Sequence, residues 1–454
     1  MAERQALHIA KVLLPEGWRN EVTLTIADGL IDTVMCDSSP ADGVEQHAIA
    51  IPGMPNLHSH AFQRAMAGLT EYGSEDGDNF WSWRDLMYRV AAKITPDDLR
   101  IIAAMAQMEM LEAGFTRVGE FHYLHHTTAG EAFENIAEMS NAIFAAADET
   151  GIGLTHLPVF YAHSGFGGLA PSDAQRRFTC SIDQFAQLLA SCSTAADALP
   201  DAIVGIAPHS LRAVTPAEIH MLQELAADAP IHIHIAEQMR EVEDCQTALG
   251  STPVRWLLDN VDVTSQWCLV HATHVTKSEV TEMARSGAVV GLCPITEANL
   301  GDGIFPAKTF VNAGGRFGIG SDSNVRIDLT EELRLLEYGQ RLALRSRNVL
   351  TSEDLSSNGR FLFQTAAMGG AQALGVDVGL RPGAPADFVT LNTDALQLDE
   401  NKPDSSLDQW IFATGARAVD RVWRRGRCVV TGGQHLQRER IERNYRKMLT
   451  GLMA

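Results

Sequence analysis

The stretch Pro52-Gly53-Met54-Pro55-Asn56-Leu57-His58-Ser59-His60-Ala61-Phe62-Gln63 closes an apolar run, Ile49 to Ile51 and then Met54 and Leu57, with two histidines one residue apart. Side chains alternate between the two faces of an extended strand, so His58 and His60 leave the same side of the backbone. Two imidazoles placed in this way suit one metal ion. A lone pair of this kind reads equally well as surface residues or a satisfied core pair, so the rest of the chain has to decide.

The 454 residues, 45% hydrophobic and 20% charged, suit a soluble globular protein with one large barrel-like domain and a small one. No apolar run reaches the ~18 residues of a membrane span. The opening Met1-Ala2-Glu3-Arg4-Gln5 leads into no signal-peptide apolar region, and a cytoplasmic location is expected. Seven cysteines (Cys36, Cys180, Cys192, Cys245, Cys268, Cys293 and Cys428) are odd in number, scattered and free of C-x-x-C spacing. Neither a disulfide framework nor a zinc finger fits that pattern. The 57 acidic against 36 basic residues disfavour nucleic acid or an anionic membrane as partner. An anionic small substrate stays compatible, because a screening length of ~8 Å lets a few pocket arginines outweigh distant charge.

Residues 1–52 read as short strands, at 7–14, 21–26, 30–35 and 45–51, with a turn at Asp28-Gly29. From residue 53 short apolar runs alternate with helical stretches, the sequence form of repeated β-α units. Strands are expected up to His60 and at 115–121, 152–161, 202–210, 230–237, 266–271, 288–294 and 316–321. Helices are expected at 96–112, 131–149, 181–196, 216–227, 278–285 and 306–313, and residues 73–88 read as an aromatic-rich loop. Thr95 before Pro96 and Thr215 before Pro216 are start signals, and Gly114 and Gly151 are stops. Eight such units predict an α/β fold, a closed (β/α)8 TIM barrel over residues 53–380, with reactive groups at the carboxyl ends of the strands. Helices at 330–347 and 359–374 follow the barrel. Residues 1–52 and 381–435 are expected to join as a small β-sandwich domain, and 436–454 to form an amphipathic helix against the body or a neighbouring subunit.

At the expected strand ends, strand one offers His58 and His60, strand two Glu120 and then Phe121-His122-Tyr123, and strand four His209 with Arg212 in the loop. Strand five offers His232, His234 and Glu237, strand six His271 and strand eight Asp322. Neutral imidazoles and a carboxylate converging at one barrel mouth are the donor set of a catalytic zinc, which keeps one position open for water. His232 and His234 share a face, and spacing does not choose between them. The offset to Glu237 favours His234, since His234-Ile235-Ala236-Glu237 places the glutamate just past the strand end as a proton carrier. His232 lies deeper and is expected to make a buried hydrogen bond. His122, His125, His126, His156, His163 and His274 read as structural or solvent-facing.

His58-Ser59-His60, His234-Ile235-Ala236-Glu237, Leu269-Val270-His271 and Gly320-Ser321-Asp322-Ser323 together resemble the motifs of the amidohydrolase superfamily, in its deaminase branch. The resemblance covers essentially the whole chain, including Gly383-Ala384-Pro385-Ala386-Asp387-Phe388-Val389 of the tail. Within that branch, Asn56 to Arg64, Phe80-Trp81-Ser82-Trp83-Arg84, Gly119-Glu120-Phe121-His122-Tyr123 and Ser321-Asp322-Ser323-Asn324-Val325-Arg326 are similar to the members that deiminate N-formimino-L-glutamate in histidine breakdown. The resemblance implies that His58, His60, His234 and Asp322 ligate zinc, with Glu237, His271 and Asp322 handling protons. It also implies N-formyl-L-glutamate and ammonia as products. Two-metal relatives often bridge their ions with a modified lysine on strand four. Here that strand ends Ala207-Pro208-His209-Ser210, and Lys93, Lys277 and Lys308 fall on helices or loops, so one zinc per chain is expected.

A dicarboxylate substrate needs fixed donors, and Gln63, Arg84, Tyr123, His209 and Arg212 are the candidates. Arg84, between Trp83 and Asp85, reads equally as a residue that holds its loop. The expected partners are this small dicarboxylate and a second copy of the chain in a homodimer. A deaminase of a purine or adenosine-like compound, which would stack a flat ring, and a non-catalytic barrel kept as a binding module are the alternatives.

Overall fold

The structure, a computed structural model, describes residues 4–73, 78–396 and 404–453. Residues 74–77 of the expected loop, 397–403 of the expected small domain and the extreme termini lie outside the described residues.

Eight parallel positions build the barrel: Met54–Ser59, Phe115–His122, Gly153–Phe160, the broken pair Ile203–Val204 and Ala207–Pro208, Ile231–Ile235, Trp267–His271, Val289–Leu292 and Arg316–Ile319. The first four and the last four form separate arcs. Bridges between Ser59 and Asp322 and between Ile206 and Ile231 close them into a ring. Strands buried on both faces need apolar runs without solvent-facing alternation. Ile231–Ile235 is buried throughout even though His232 and His234 interrupt its isoleucines. His232 pairs its Nε2 with the Ala373 carbonyl at 2.8 Å, so burial leaves this nitrogen satisfied.

Helix Asn358–Ala373 packs across the first and eighth strands, and it approaches closely because the contact is glycine. A Cβ on Gly369 would lie 2.0 Å from the Phe317 carbonyl oxygen, and one on Gly318 2.7 Å from the Gly370 nitrogen. Beyond this helix, Leu374 packs with Leu57, Cys268 and Val270 in a cluster of its own.

Four strands from the amino end (Gln5–Leu14, Gly17–Ala27, Leu30–Met35 and Glu45–Pro52) and four from the tail (Phe388–Leu391, Val419–Arg424, Arg427–Thr431 and Gln434–His435) form the second layer. The expected β-sandwich takes the form of one eight-stranded sheet, joined where Val389 pairs antiparallel with Ile51. Arg424 ties this layer to the barrel, holding Asp387 of the tail and Asp201 below the fourth strand, and Arg117 shares Asp201 at 2.7 Å. The last helix, Arg438–Met453, lies on helix Pro96–Glu112, with the Tyr445 hydroxyl donating to the Arg64 carbonyl. No helix among the described residues is long and apolar enough to cross a membrane.

Three differences from the sequence reading have local causes. The expected loop at 73–88 holds helix Phe80–Ala91, because Asn79 accepts from the Trp81 and Ser82 nitrogens and Ser82 returns the bond, a capping box with serine in place of glutamate. The helix expected from residue 131 begins only at Glu138. Helices Met239–Leu249, Pro253–Asn260 and Pro294–Leu300 were not expected, and the last two start with a proline at their first turn.

Adding one methyl at Gly369 forces the helix off the eighth strand. Gly369→Ala should therefore cost about 1–3 kcal/mol of stability, seen as a lower Tm by calorimetry; an unchanged Tm contradicts the close approach.

Candidate metal centre and substrate pocket

The first and eighth strands are bound at their carboxyl ends by a buried polar clasp. Asn56 Nδ2 donates to Ser321 Oγ at 2.7 Å, and Ser321 Oγ donates to Asn324 Oδ1 at 2.6 Å. Asn324 Nδ2 lies 3.1 Å from each of Ser59 Oγ, the His60 carbonyl and the Asp322 carbonyl. The backbone adds Asp322 N to His58 O at 3.0 Å and His60 N to Asp322 O at 2.9 Å. Glu120, from the second strand, accepts from the Ala61 nitrogen at 2.7 Å and so directs the chain just after His60. Asp322 and Asn324 sit at φ +45° and +54°, and His271 at +69°. Such conformations cost energy outside glycine and persist where surroundings enforce them.

This clasp brings His58, His60, His234 and Asp322 together, their donor atoms all within 4.8 Å of one another. His58 Nε2 lies 3.2 Å from His60 Nε2 and 3.0 Å from His234 Nε2, and Asp322 Oδ1 is 3.2 Å from His60 Nε2. His60 donates its Nδ1 proton to the Phe121 carbonyl at 2.8 Å, which leaves Nε2 with a bare lone pair toward the cluster. Burial pushes His58 down to about 3, so its ring is neutral. Lone pairs and a carboxylate converging without protons between them repel unless a cation sits among them. The donor set therefore fits a metal ion, and nitrogen with one carboxylate suits zinc among the common ions.

Glu237 and His271 stand beside the cluster. His271 Nε2 is 3.8 Å from both Glu237 Oε1 and Asp322 Oδ2. Burial pushes the Glu237 carboxyl up to about 7. For His271 burial works against the charged ring, and without a metal Glu237, Glu297 and Asp322 outweigh it and raise the pKa well above the usual imidazole value; a cation among the four adjacent donors would repel a second positive charge and favour the neutral ring.

One cavity is lined by His60, His234, Asp322, Glu237 and His271 together with Gln63, Arg84, Tyr123, His209 and Arg212. Gln63 Nε2 donates to the Tyr123 hydroxyl at 2.8 Å and leaves its Oε1 unpartnered. His209 Nδ1 faces Ser210 Oγ at 3.1 Å. Arg84 enters from helix Phe80–Ala91 rather than from a loop, its guanidinium 4.4 Å from the Trp81 ring centre, with that of Arg212 at 5.9 Å. Stacking on an indole orients a guanidinium without neutralising it, and the Nε atoms of Arg84 and Arg212 are both buried and unpartnered. Arg177 fastens the far end of that helix, donating to the Ala91 and Ile94 carbonyls.

The sequence reading did not assign Phe80, Tyr88, Tyr161 and Phe178, which wall the cavity, or Glu297 and Asp302, which back onto His271. Tyr161 was legible as the residue ending strand three. Strand seven offers no histidine or carboxylate, and Cys293 at its end was read with the other scattered cysteines, so nothing drew notice to the turn after it.

The amidohydrolase family model matches residues 49–429, and a model of the N-terminal domain of formimidoylglutamate deiminase HutF matches residues 4–48. Formimidoylglutamate deiminase of Pseudomonas aeruginosa is 49% identical over 454 residues, 99% of each chain. A crystal structure of an amidohydrolase from Brucella melitensis superposes with a TM-score of 0.96 at 50% identity, over 99% of this chain and 100% of that one. An adenosine deaminase from Xanthomonas campestris with bound zinc has a TM-score of 0.79 at 22% identity, over 99% and 98% of the two chains, and shares the fold alone.

The clasp generates its own test. Asn324→Asp puts an oxygen where three acceptors need an N–H, so it should destabilise at least as much as Asn324→Ala, by about 2 kcal/mol or more. A wild-type denaturation midpoint in the aspartate variant contradicts the network.

Proposed function

The chain belongs to the amidohydrolase family, and from that membership we propose that it hydrolyses N-formimino-L-glutamate to N-formyl-L-glutamate and ammonia in histidine breakdown. The observation that carries this reading is the polarity of the cavity. Glu237 stands beside the four-donor cluster that includes Asp322, and the same cavity is lined by Arg84 and Arg212, whose buried Nε atoms have no partner within the protein. A formimino group is a cation at neutral pH and the rest of the substrate is a dicarboxylate, so the carboxylates and the guanidinium groups of the cavity match the two halves of one molecule. The Pseudomonas relative carries that activity in its name and spans the whole chain. A purine pocket has no use for two guanidinium groups, and a retired barrel has no reason to keep every donor.

His58, His60, His234 and Asp322 would hold one zinc, which when bound supplies a Lewis acid and lowers the pKa of a water toward ~7. Within the chain's own chemistry, His271 and Asp322 take the proton of the attacking water as its oxygen bonds to the formimino carbon. Glu237, with its carboxyl near 7, gives a proton to the terminal nitrogen, and as the C–N bond breaks to release ammonia the hydroxyl on the same carbon passes its proton to the Glu237 carboxylate and becomes the formyl carbonyl. A positioned acid of this kind contributes ~10²–10⁴ in rate. Arg212 and Arg84, with Tyr123, Gln63 and His209, bind the carboxylates and hold the carbon against the cluster. A free amino-acid derivative as substrate supports a cytoplasmic location, and the homodimer stays part of the same proposal.

Atomic absorption on purified protein should find about one zinc per chain, and two tightly held ions in an active preparation contradict the single site. Glu237→Gln should keep the metal while kcat falls ~10²-fold or more; full activity at full zinc rejects the proton role. Arg212→Met should lower kcat/KM at least ~10-fold, equal to about 1.4 kcal/mol, through KM if the contact is uniform and through kcat if it orients the carbon. Wild-type kinetics with zinc intact would move the carboxylate clamp elsewhere.

A further inference from the structure

His60 turns its Nδ1 to a carbonyl, whereas His271 turns its Nδ1 to a carboxylate, Glu297 Oε1 at 3.3 Å. Glu297 lies on the short helix Pro294–Leu300 at the carboxyl end of the seventh strand, and it is buried. Its position is over-determined. The same oxygen accepts from the Cys293 nitrogen at 2.9 Å, and the Glu297 carbonyl accepts from the Asp302 nitrogen at 2.9 Å. The first turn is held by Ile295 N donating to Glu332 at 2.9 Å and by Thr296 Oγ1 at 2.9 Å from Ser323 Oγ.

A neutral imidazole has one N–H and one bare nitrogen, and the partner of the first decides which faces the substrate. With a carboxylate at Nδ1 the proton stays there, and Nε2, 3.8 Å from both Glu237 and Asp322, is the bare atom toward the cavity. The backbone of His271, at φ +69°, does not by itself settle where the ring points. Capping the Cys293 nitrogen alone would need an acceptor at that spot but gives no reason for the same oxygen to reach His271.

We propose that Glu297 is a positioning residue for the deimination, fixing the Nδ1–H tautomer and the ring direction of His271 so that Nε2 is kept bare for the proton of the attacking water. The inference rests on the deiminase reading of the site. The proton passes from water to Nε2 while the water oxygen bonds to the formimino carbon and the C=N π pair moves to nitrogen; Glu237 protonates that nitrogen, the C–N bond breaks, and the hydroxyl proton passes to the Glu237 carboxylate as the formyl carbonyl forms.

The test compares Glu297→Gln with Glu297→Met, each at matched zinc content. Glutamine still offers an acceptor oxygen and should keep kcat within about tenfold of wild type, whereas methionine should lose ~100-fold or more in kcat with KM for N-formimino-L-glutamate little changed. A methionine variant with near-normal kcat, a change confined to KM, or equal losses in both variants overturns the proposal. If the methionine variant does not fold, proton NMR decides. The wild type should show a low-field imidazole N–H resonance that Glu297→Gln shifts and His271→Asn removes, and its absence overturns the assignment. A wild type inactive toward N-formimino-L-glutamate contradicts the deiminase reading instead, and the resonance still decides the tautomer.

Discussion

The pairing of the first barrel strand with the eighth is the constraint on which the site depends. Those two strands come from opposite ends of the barrel sequence, and their register is set by a bridge at Ser59 and Asp322 and by the Asn56, Ser321 and Asn324 side chains. A slip of one residue would turn His58, His60 and Asp322 to other faces at once. Side-chain amides and hydroxyls suit this task because they can satisfy carbonyls at irregular strand ends where the ladder stops. The cost of burying them is offset only if every group is paired, and in this clasp the donors and acceptors close on one another.

The same ring gathers many like charges. Glu237, Glu297, Asp302 and Asp322 lie around His271, and several sit where burial alone favours the neutral acid. An arrangement of this kind lowers stability in favour of chemistry, as do the positive φ angles of His271, Asp322 and Asn324. What makes it tolerable is the rest of the barrel. Helix Asn358–Ala373 packs through glycines onto the two strands, and Arg424 with Arg117 fixes the small sheet to the barrel wall through Asp201. Rigid surroundings hold donor atoms where an ion needs them, and Trp81 orients guanidinium groups over the opening.

Much of this was legible in the chain. Short apolar runs located the strands, threonine starts and glycine stops located helices, and the fold follows from eight such runs alternating with helices. The histidine pair, His234 with Glu237, His271 and Asp322 stood out because their strands are otherwise apolar. Less visible were features set by contacts distant in sequence. Helix Phe80–Ala91 is capped by Asn79 and Ser82 rather than by a glutamate, which hid its start, although Phe80, Trp83, Arg84, Met87 and Tyr88, which line the cavity, recur at helical spacing. The break in the fourth strand leaves its end short, yet His209 still reaches the cavity. Glu297 carries no signal in its own neighbourhood, since its partner is 26 residues away on another strand.

The central claim is that one metal-loaded cluster in this barrel removes ammonia from a formimino dicarboxylate. Ammonia release from N-formimino-L-glutamate, followed before metal removal, after chelation and after return of zinc, tests it most directly. The account predicts ammonia and N-formyl-L-glutamate in equal amounts, loss of turnover in the chelated protein and recovery with zinc. Undiminished hydrolysis by metal-free protein, or no ammonia from the fully zinc-loaded protein, would contradict it.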